Sequence, residues 1–317
     1  MSHAAARKGF LLYTAGGLAV VSLPVGVWWY TAQKKRQEIA HDVETRIRIP
    51  GQQTVDDFLI EKCRPGDVLL FDRRWETCAS GPLAALACLA TKAFLTGGES
   101  GVSRSVDNGN FDHIGIIVPG FVRQKHDEFD PSNLLLLEAT PQGIVARSLK
   151  TRLERTQSRS VVLLQLNAPG EQRDFVNTDD DDETDESKMS SRQLSVRRVR
   201  KHVDRELIKF RDKWIQLGQE YKFQYLYSSL AIGGALAYGL GFHSYLAGPV
   251  SPSAWLTVMA LQRAAAAQNV NEQKERFLIK PEDFLRADHR LGDESNPLRM
   301  RPGWRFLAPQ TLRSHHL

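Results

Sequence analysis

The sequence predicts an α+β fold that is preceded by one transmembrane helix. Three observations lead to this prediction. Short apolar runs bounded by turn-forming residues recur through the first half of the chain, which is typical of buried strands. Longer alanine-rich or amphipathic runs, typical of helices, lie between and after them. An uncharged stretch near the N-terminus is long enough to span a bilayer.

The uncharged stretch covers residues 9–32. A helix needs about 20 apolar residues to cross the hydrocarbon core, and Trp28, Trp29 and Tyr30 stand where an aromatic belt would lie. A basic N-terminus with no acidic residue before Glu38 is typical of mitochondrial targeting segments. We therefore predict an uncleaved anchor in the mitochondrial inner membrane, with a cleaved presequence as the alternative. The membrane orientation stays open because basic residues flank both ends.

Five apolar runs predict the strands of the folded domain. They cover residues 68–71, 113–118, 134–140, 144–149 and 161–166. The sequence Pro-Gln-Gly between the third and fourth runs predicts a hairpin, and Arg-Pro-Gly-Asp at 64–67 predicts a turn before the first run.

Helical patterns occupy most of the remaining chain. Helices are predicted around 54–63 and at 81–98, 203–218 and 252–267, with a short element at 280–285. Residues 97–110, rich in Gly, Ser and Asn, predict a loop. Residues 223–262 contain no Asp, Glu, Lys or Arg. Their small-residue-rich part, around 226–248, predicts either a second membrane-embedded segment or a packed core or interface region.

A charged segment divides the predicted domain into two halves. The run Thr-Asp-Asp-Asp-Asp-Glu-Thr-Asp-Glu at 178–186, followed by a basic block, cannot bury a core and predicts disorder. The expected divisions are an anchor at 1–36, a connector at 37–62, two halves of one domain at 63–168 and 202–290, a disordered insertion at 169–201, and a C-terminal tail at 291–317.

Six segments in a fixed order resemble a known family. They read RPGDVLLF, FDHIGIIV, LLLLEATPQGIVARSL, VVLLQL, GQEYKF and KPEDF. This order resembles the circularly permuted papain-like amidases of the NlpC-like superfamily, which includes the lecithin-retinol-acyltransferase-like proteins. The resemblance covers about residues 60–166 and 203–286. It implies a central antiparallel sheet packed by helices.

The resemblance also implies a catalytic site. The family's histidine base maps onto His113, its polar partner onto Glu138, and its late cysteine onto Ser253, or onto Pro252 if the alignment shifts by one residue. In such a site the histidine deprotonates the thiol, and a carboxylate orients the imidazole. Neighbouring antiparallel strands place His113 and Glu138 on one face.

The nucleophile is where the sequence departs from that family. The three cysteines, at 63, 78 and 88, all precede His113, and they form neither a CxxC pair nor a metal-ligand spacing. This usage favours a reducing compartment. A serine is a far weaker nucleophile than a thiolate at neutral pH, so the site predicts lost activity. The alternative interpretation of His113 is a half-buried histidine that bonds Glu138 for structural reasons.

These observations favour a catalytically silent, papain-like accessory subunit of a mitochondrial inner-membrane complex, with membrane lipid and other subunits as its partners. The alternative is a membrane-bound amide or lipid acyl hydrolase that uses Ser253 with His113 and Glu138. A third interpretation is a lipid-binding module that uses the groove in which the family's enzymes hold their substrate. No cofactor, metal or nucleotide is predicted, because the sequence has no phosphate-binding glycine motif and its terminal SHHL is too short for a metal site. Nucleic acid is not a predicted partner either, because the acidic run would compete with the basic block beside it.

Overall fold

A computed structural model describes nine parts of the chain. These are residues 26–35 with 37–38 and 41, 62–73, 111–120, 133–140, 143–172 apart from 155, 157 and 159, 190–220, 249–268, 278–287 and 298–314. Residues 26–35 are helical. Among the described residues, no helix is both long enough and apolar enough to cross a membrane. Several predictions lie outside the described residues: the helix at 54–63 apart from its last two residues, the helix at 81–98, the loop at 97–110, the segment 226–248 and most of the anchor.

The centre of the fold is a six-stranded sheet in which every pairing is antiparallel. Its strands are β1 (Val68–Asp72), β2 (His113–Val118), β3 (Leu135–Thr140), β4 (Gly143–Ser148), β5 (Ser160–Leu164) and β8 (Gln310–Ser314), in the order β4-β3-β2-β1-β5-β8. The predicted hairpin is confirmed, with Thr140 opposite Gly143. The α+β class with a central antiparallel sheet is therefore correct.

The predicted strand at 161–166 is two strands. β5 ends at Leu164, and β6 (Leu166–Asn167) pairs with β7 (Arg305–Phe306) in a separate two-stranded sheet. The backbone changes partners at Gln165, whose carbonyl accepts the Leu307 N–H at 2.9 Å. One apolar run therefore contributes to two sheets.

Each face of the main sheet carries its own apolar core, because successive side chains of a strand point to opposite faces. One face presents Leu70, Ile114 and Ile116 to two helices, α2 (Ser191–Glu220) and α3 (Pro252–Arg263). The other face presents Leu69 and Ile117, together with Leu149 and Leu153 of α1 (Leu149–Glu154), in a smaller cluster.

The Arg-Pro-Gly-Asp turn is present and enters β1. Gly66 has φ +94°, a left-handed conformation that suits glycine, and the Asp67 N–H donates to the Arg64 carbonyl at 3.1 Å. The Asp67 carboxylate is fully buried. Its Oδ1 accepts the Leu166 N–H and its Oδ2 accepts the Arg64 N–H, each at 2.8 Å. The turn thus fastens the start of β1 to β6.

The predicted disordered insertion at 169–201 is wrong at both ends. α2 begins at Ser191, before the predicted start at 203, so residues 191–201 are helical. Val199 packs against the larger core. Arg200 forms an ion pair with Glu171, which lies just after β6 and is buried. Part of this charged block is thus held by a buried partner while Val199 packs on the core, and the compositional rule misses that arrangement.

The predicted tail at 291–317 and the predicted end of the last long helix also need correction. β7 and β8 both lie in the predicted tail, and β8 pairs with β5 along one edge of the main sheet. α3 ends at Arg263 rather than at 267, because Ala265 adopts a left-handed φ of +60°. The short element predicted at 280–285 is a 3-10 helix at Pro281–Arg286.

Candidate functional site

His113 and Glu138 form a buried pair between β2 and β3. Gly115 lies opposite Glu138 in the strand register, so His113, two residues earlier, points to the same face as Glu138. His113 Nε2 lies 3.0 Å from Glu138 Oε1. Both side chains are almost completely removed from solvent. The predicted placement of the two residues on one face of the sheet is confirmed.

Gly115 provides the space for this pair. A Cβ atom added at Gly115 would lie 3.0 Å from Glu138 Cγ and 2.9 Å from Leu136 Cγ, both closer than ordinary side-chain contacts. The glutamate side chain therefore passes beside a position that has no side chain of its own.

We expect Gly115→Ala to displace the Glu138 side chain and to lower the free energy of unfolding by about 1 to 3 kcal/mol, the usual cost of overpacking. Urea unfolding measures the loss. Ile117→Val is the matched control on the same strand and face, since it removes one methyl group and leaves the His113 to Glu138 contact intact; its expected cost is about 1 kcal/mol. An unchanged stability in Gly115→Ala would show that Glu138 does not need the space.

Arg152 completes the site and is not among the residues that the sequence predicts for it. Its Nε lies 3.0 Å from Glu138 Oε2 and 3.2 Å from Oε1, and its guanidinium carbon lies 4.6 Å from the ring centre of Phe71. The Phe71 ring in turn packs against His113 at 5.8 Å between centroids. A buried carboxylate needs a cation, but several basic residues lie between 147 and 155, so the sequence alone does not indicate which one.

The electrostatics favour a neutral His113 and an ionised Glu138. Burial lowers the pKa of His113, and the charge of Arg73 lowers it further, against the opposing effect of Glu138. Burial by itself would raise the pKa of Glu138, but the His113 hydrogen bond and the Arg152 charge bring that pKa down to about 2. A carboxylate only accepts hydrogen bonds, so Nε2 of the neutral imidazole carries the proton that it donates. Nδ1 is then the basic atom of His113.

Arg73 belongs to a second ion pair at this end of β1. Its Nε lies 3.1 Å from Asp112 Oδ2, and its backbone N–H donates to Asp112 Oδ1 at 2.8 Å. Asp112 comes directly before His113 in the chain, so this pair holds a positive charge beside the imidazole.

Ser253 is not brought to His113. It lies in the first turn of α3, which packs on the face presenting Ile114 and Ile116, whereas His113 points to the opposite face with Phe71. The Ser253 hydroxyl lies 3.3 Å from the hydroxyl of Ser251. No hydrogen bond joins Ser253 to His113. The site that the resemblance implies, with Ser253 beside His113 and Glu138, is therefore not formed, since α3 covers the other side of the sheet.

Neither Pro252, the alternative position in the resemblance, nor the one described cysteine supplies a nucleophile to His113. Pro252 occupies the first helical position of α3 and has no nucleophilic atom. Cys63 is a buried thiol in the smaller apolar cluster. It comes just before the turn whose Gly66 N–H bonds the Ile117 carbonyl, at the far end of β2 from His113. Cys78 and Cys88 lie outside the described residues.

Comparison of the chain with protein-family models, with curated proteins and with solved structures finds no match. Among the described residues, no group of three or more His, Cys, Asp or Glu side chains could hold a metal ion. The chemistry of the site is thus set by His113, Glu138 and Arg152: a neutral imidazole whose orientation is fixed by a carboxylate that an arginine also binds.

Proposed function

We propose that this chain is a catalytically silent α+β protein that serves as an accessory subunit of a membrane protein complex. The observation that carries the proposal is the separation of Ser253 from His113 by the sheet itself. General base catalysis requires the nucleophile within hydrogen-bond reach of the base, at about 2.6 to 3.2 Å. Side chains on opposite faces of one sheet cannot meet this requirement.

The environment of Glu138 supports the same proposal. In a catalytic triad the carboxylate stabilises the imidazolium that forms when the histidine takes a proton. Here Arg152 already neutralises Glu138, and Arg73 and burial both oppose a positive charge on His113. A histidine in this environment is a poor general base. The cluster instead fixes β1, β2, β3 and α1 relative to one another.

The membrane and mitochondrial parts of the proposal rest on the sequence. Residues 9–32 are uncharged and the N-terminus is basic. A second uncharged stretch covers 223–262, and its last part, from Pro252, is the helix α3 that packs on the sheet. We propose, from the resemblance alone, that the chain shares an ancestor with the papain-like amidases. The side of the sheet on which α3 packs argues against Ser253 as the successor of that family's cysteine.

The proposal is tested by labelling the full-length protein with a fluorophosphonate probe for activated serines and an iodoacetamide probe for thiols. We expect no labelling by the serine probe. We also expect Ser253→Ala to keep the protein in its complex, at a cost of about 1 kcal/mol in stability for one hydrogen-bonded hydroxyl. Ser251→Ala, two residues away at the N-cap of α3, is the matched control.

Three results would contradict the proposal. Serine labelling that disappears in both Ser253→Ala and His113→Ala, but persists in Ser251→Ala, would establish a serine hydrolase. Fast thiol labelling at 63, 78 or 88 that depends on His113 would establish a cysteine enzyme. A protein that purifies from membranes alone, without stoichiometric partners, would contradict the accessory role.

A further inference from the structure

The exposed side of α2 carries a straight row of cations. Arg198, Lys201, Arg205, Lys209 and Lys213 follow one another at intervals of three or four residues, and all five are exposed. Side chains with this spacing lie one above the other on a single helix face. At a rise of about 1.5 Å per residue, the row extends for about 22 Å. We call these five residues the basic row.

The basic row differs from the charged residues on the packed side of the same helix. There, Arg200 is paired with Glu171, and the buried Arg211 is paired with Asp212, the one exposed acidic residue between Arg198 and Lys213. Within the part of the chain that the structure describes, Lys209 is the one member of the basic row in an ion pair, with a neighbouring glutamate. Like charges three or four residues apart destabilise a helix, and solvated helices usually mix both signs. Helix stability therefore does not explain the basic row.

We propose that the basic row docks α2 on an anionic lipid surface. The inference rests on the membrane association in the proposed function and names the part of the chain that contacts the headgroups. A straight row of exposed cations fits a flat layer of acidic headgroups, and each added cation strengthens the attraction. α2 ends at Glu220, and the uncharged stretch begins at residue 223, ten residues after the last cation of the row.

The side chains between the cations favour a lipid surface, rather than an acidic protein, as the partner of the basic row. From Arg198 to Lys213, the only other exposed side chains are those of His202 and Asp212. Protein interfaces are centred on buried aromatic or aliphatic anchors, and this face has none. The acidic run of this same chain, at 178–186, is the protein segment with the best charge match, and the experiment below separates it from lipid.

Amine footprinting of the full-length protein tests the inference. The protein is incorporated into vesicles of phosphatidylcholine alone, or of phosphatidylcholine mixed with phosphatidylserine, and treated with a water-soluble acetylating reagent. We expect Lys201, Lys209 and Lys213 to react several-fold more slowly in the phosphatidylserine vesicles and to recover at high salt. Lys150, an exposed lysine on α1, is the internal control and should react equally in both.

Paired variants measure the contribution of charge. Lys201→Gln with Arg205→Gln should weaken the protection of Lys209 and Lys213 by roughly fivefold for each cation removed. Arg147→Gln with Lys150→Gln, an exposed pair of the same composition, should leave that protection unchanged. Circular dichroism confirms that both variants retain the helix.

Each other outcome has a distinct meaning. Equal reactivity in both kinds of vesicle, with the protein still floating with them, would overturn the docking of α2 and leave membrane association standing. A protein that floats with neither vesicle would overturn the membrane part of the proposed function and the inference with it. Protection without any lipid that disappears when residues 178–186 are deleted would show that the acidic run occupies the basic row instead, and would also overturn the inference.

Discussion

Glu138→Gln is expected to lower the free energy of unfolding by about 3 to 5 kcal/mol at neutral pH, the usual cost of removing one partner from a buried ion pair. The carboxylate is fully buried and bonds both His113 and Arg152. Its neutral replacement leaves the charge of Arg152 largely buried without an anion. Urea unfolding, followed by circular dichroism, measures the loss.

The effect of this substitution depends on pH in a defined direction. The pKa of Glu138 is about 2 in the folded protein, below its ordinary value of 4.5. The ionised carboxylate therefore contributes its full stability above about pH 4.5, and the contribution is lost as the pH falls toward 2. The difference in stability between wild type and Glu138→Gln should shrink over that window.

A double-mutant cycle with Arg152→Gln identifies the cause. Without the arginine, the glutamine no longer faces a buried cation, so the double variant should lose less stability than the sum of the two single variants. If the stability loss of the double variant equals the sum of the two single losses to within about 0.5 kcal/mol, Glu138 and Arg152 do not interact, and the ion pair is contradicted.

Asp67→Asn is expected to cost about 2 to 3 kcal/mol. The Asp67 carboxylate accepts the Leu166 N–H with one oxygen and the Arg64 N–H with the other. Asparagine has one oxygen and one NH₂ group, so one of the two backbone donors would face another donor inside the protein. A buried donor left unsatisfied typically costs about 1 to 3 kcal/mol.

The same substitution at Asp283 provides the control. Asp283 Oδ2 accepts the Lys280 N–H at 2.7 Å at the start of the 3-10 helix, and an amide oxygen can still accept that bond. Hydrogen exchange gives a local readout: the amides of Arg64 and Leu166 should lose protection in Asp67→Asn. Equal losses of stability in the two variants would contradict the idea that both oxygens of Asp67 are needed.

Much of the sheet could be predicted because its strands are short apolar runs between turn signals. β2 begins and ends where the sequence predicts, and the hairpin of β3 and β4 follows from the turn between them. The start of α2 could not be predicted from composition. Its N-terminal part is densely charged, and the valines that pack against the core, such as Val199, are too few to outweigh that charge in a local window.

The site was predictable in part. The alternation of side chains along strands was sufficient to place His113 and Glu138 together, because that relation is local to two neighbouring strands. The side of the sheet on which α3 packs is set by the path of the chain between β6 and α3, and no pattern within α3 encodes it. The contact between Arg152 and Glu138 could not be predicted either, because it depends on α1 packing against the face of the sheet that carries His113.

The position of β8 has a consequence for how the protein folds as it is synthesised. β1 gains both of its neighbours once residues 160–164 have emerged, but β5 lacks one neighbour until residues 310–314 are available. The chain between β5 and β8 must close a long loop before these two strands can pair, and this delays their pairing. During the delay, β5 presents a row of unpaired backbone N–H and C=O groups, and such an open edge is where chains pair with one another. Once β8 has paired, this edge of β5 is covered, and β8 becomes the outermost described strand on that side of the sheet.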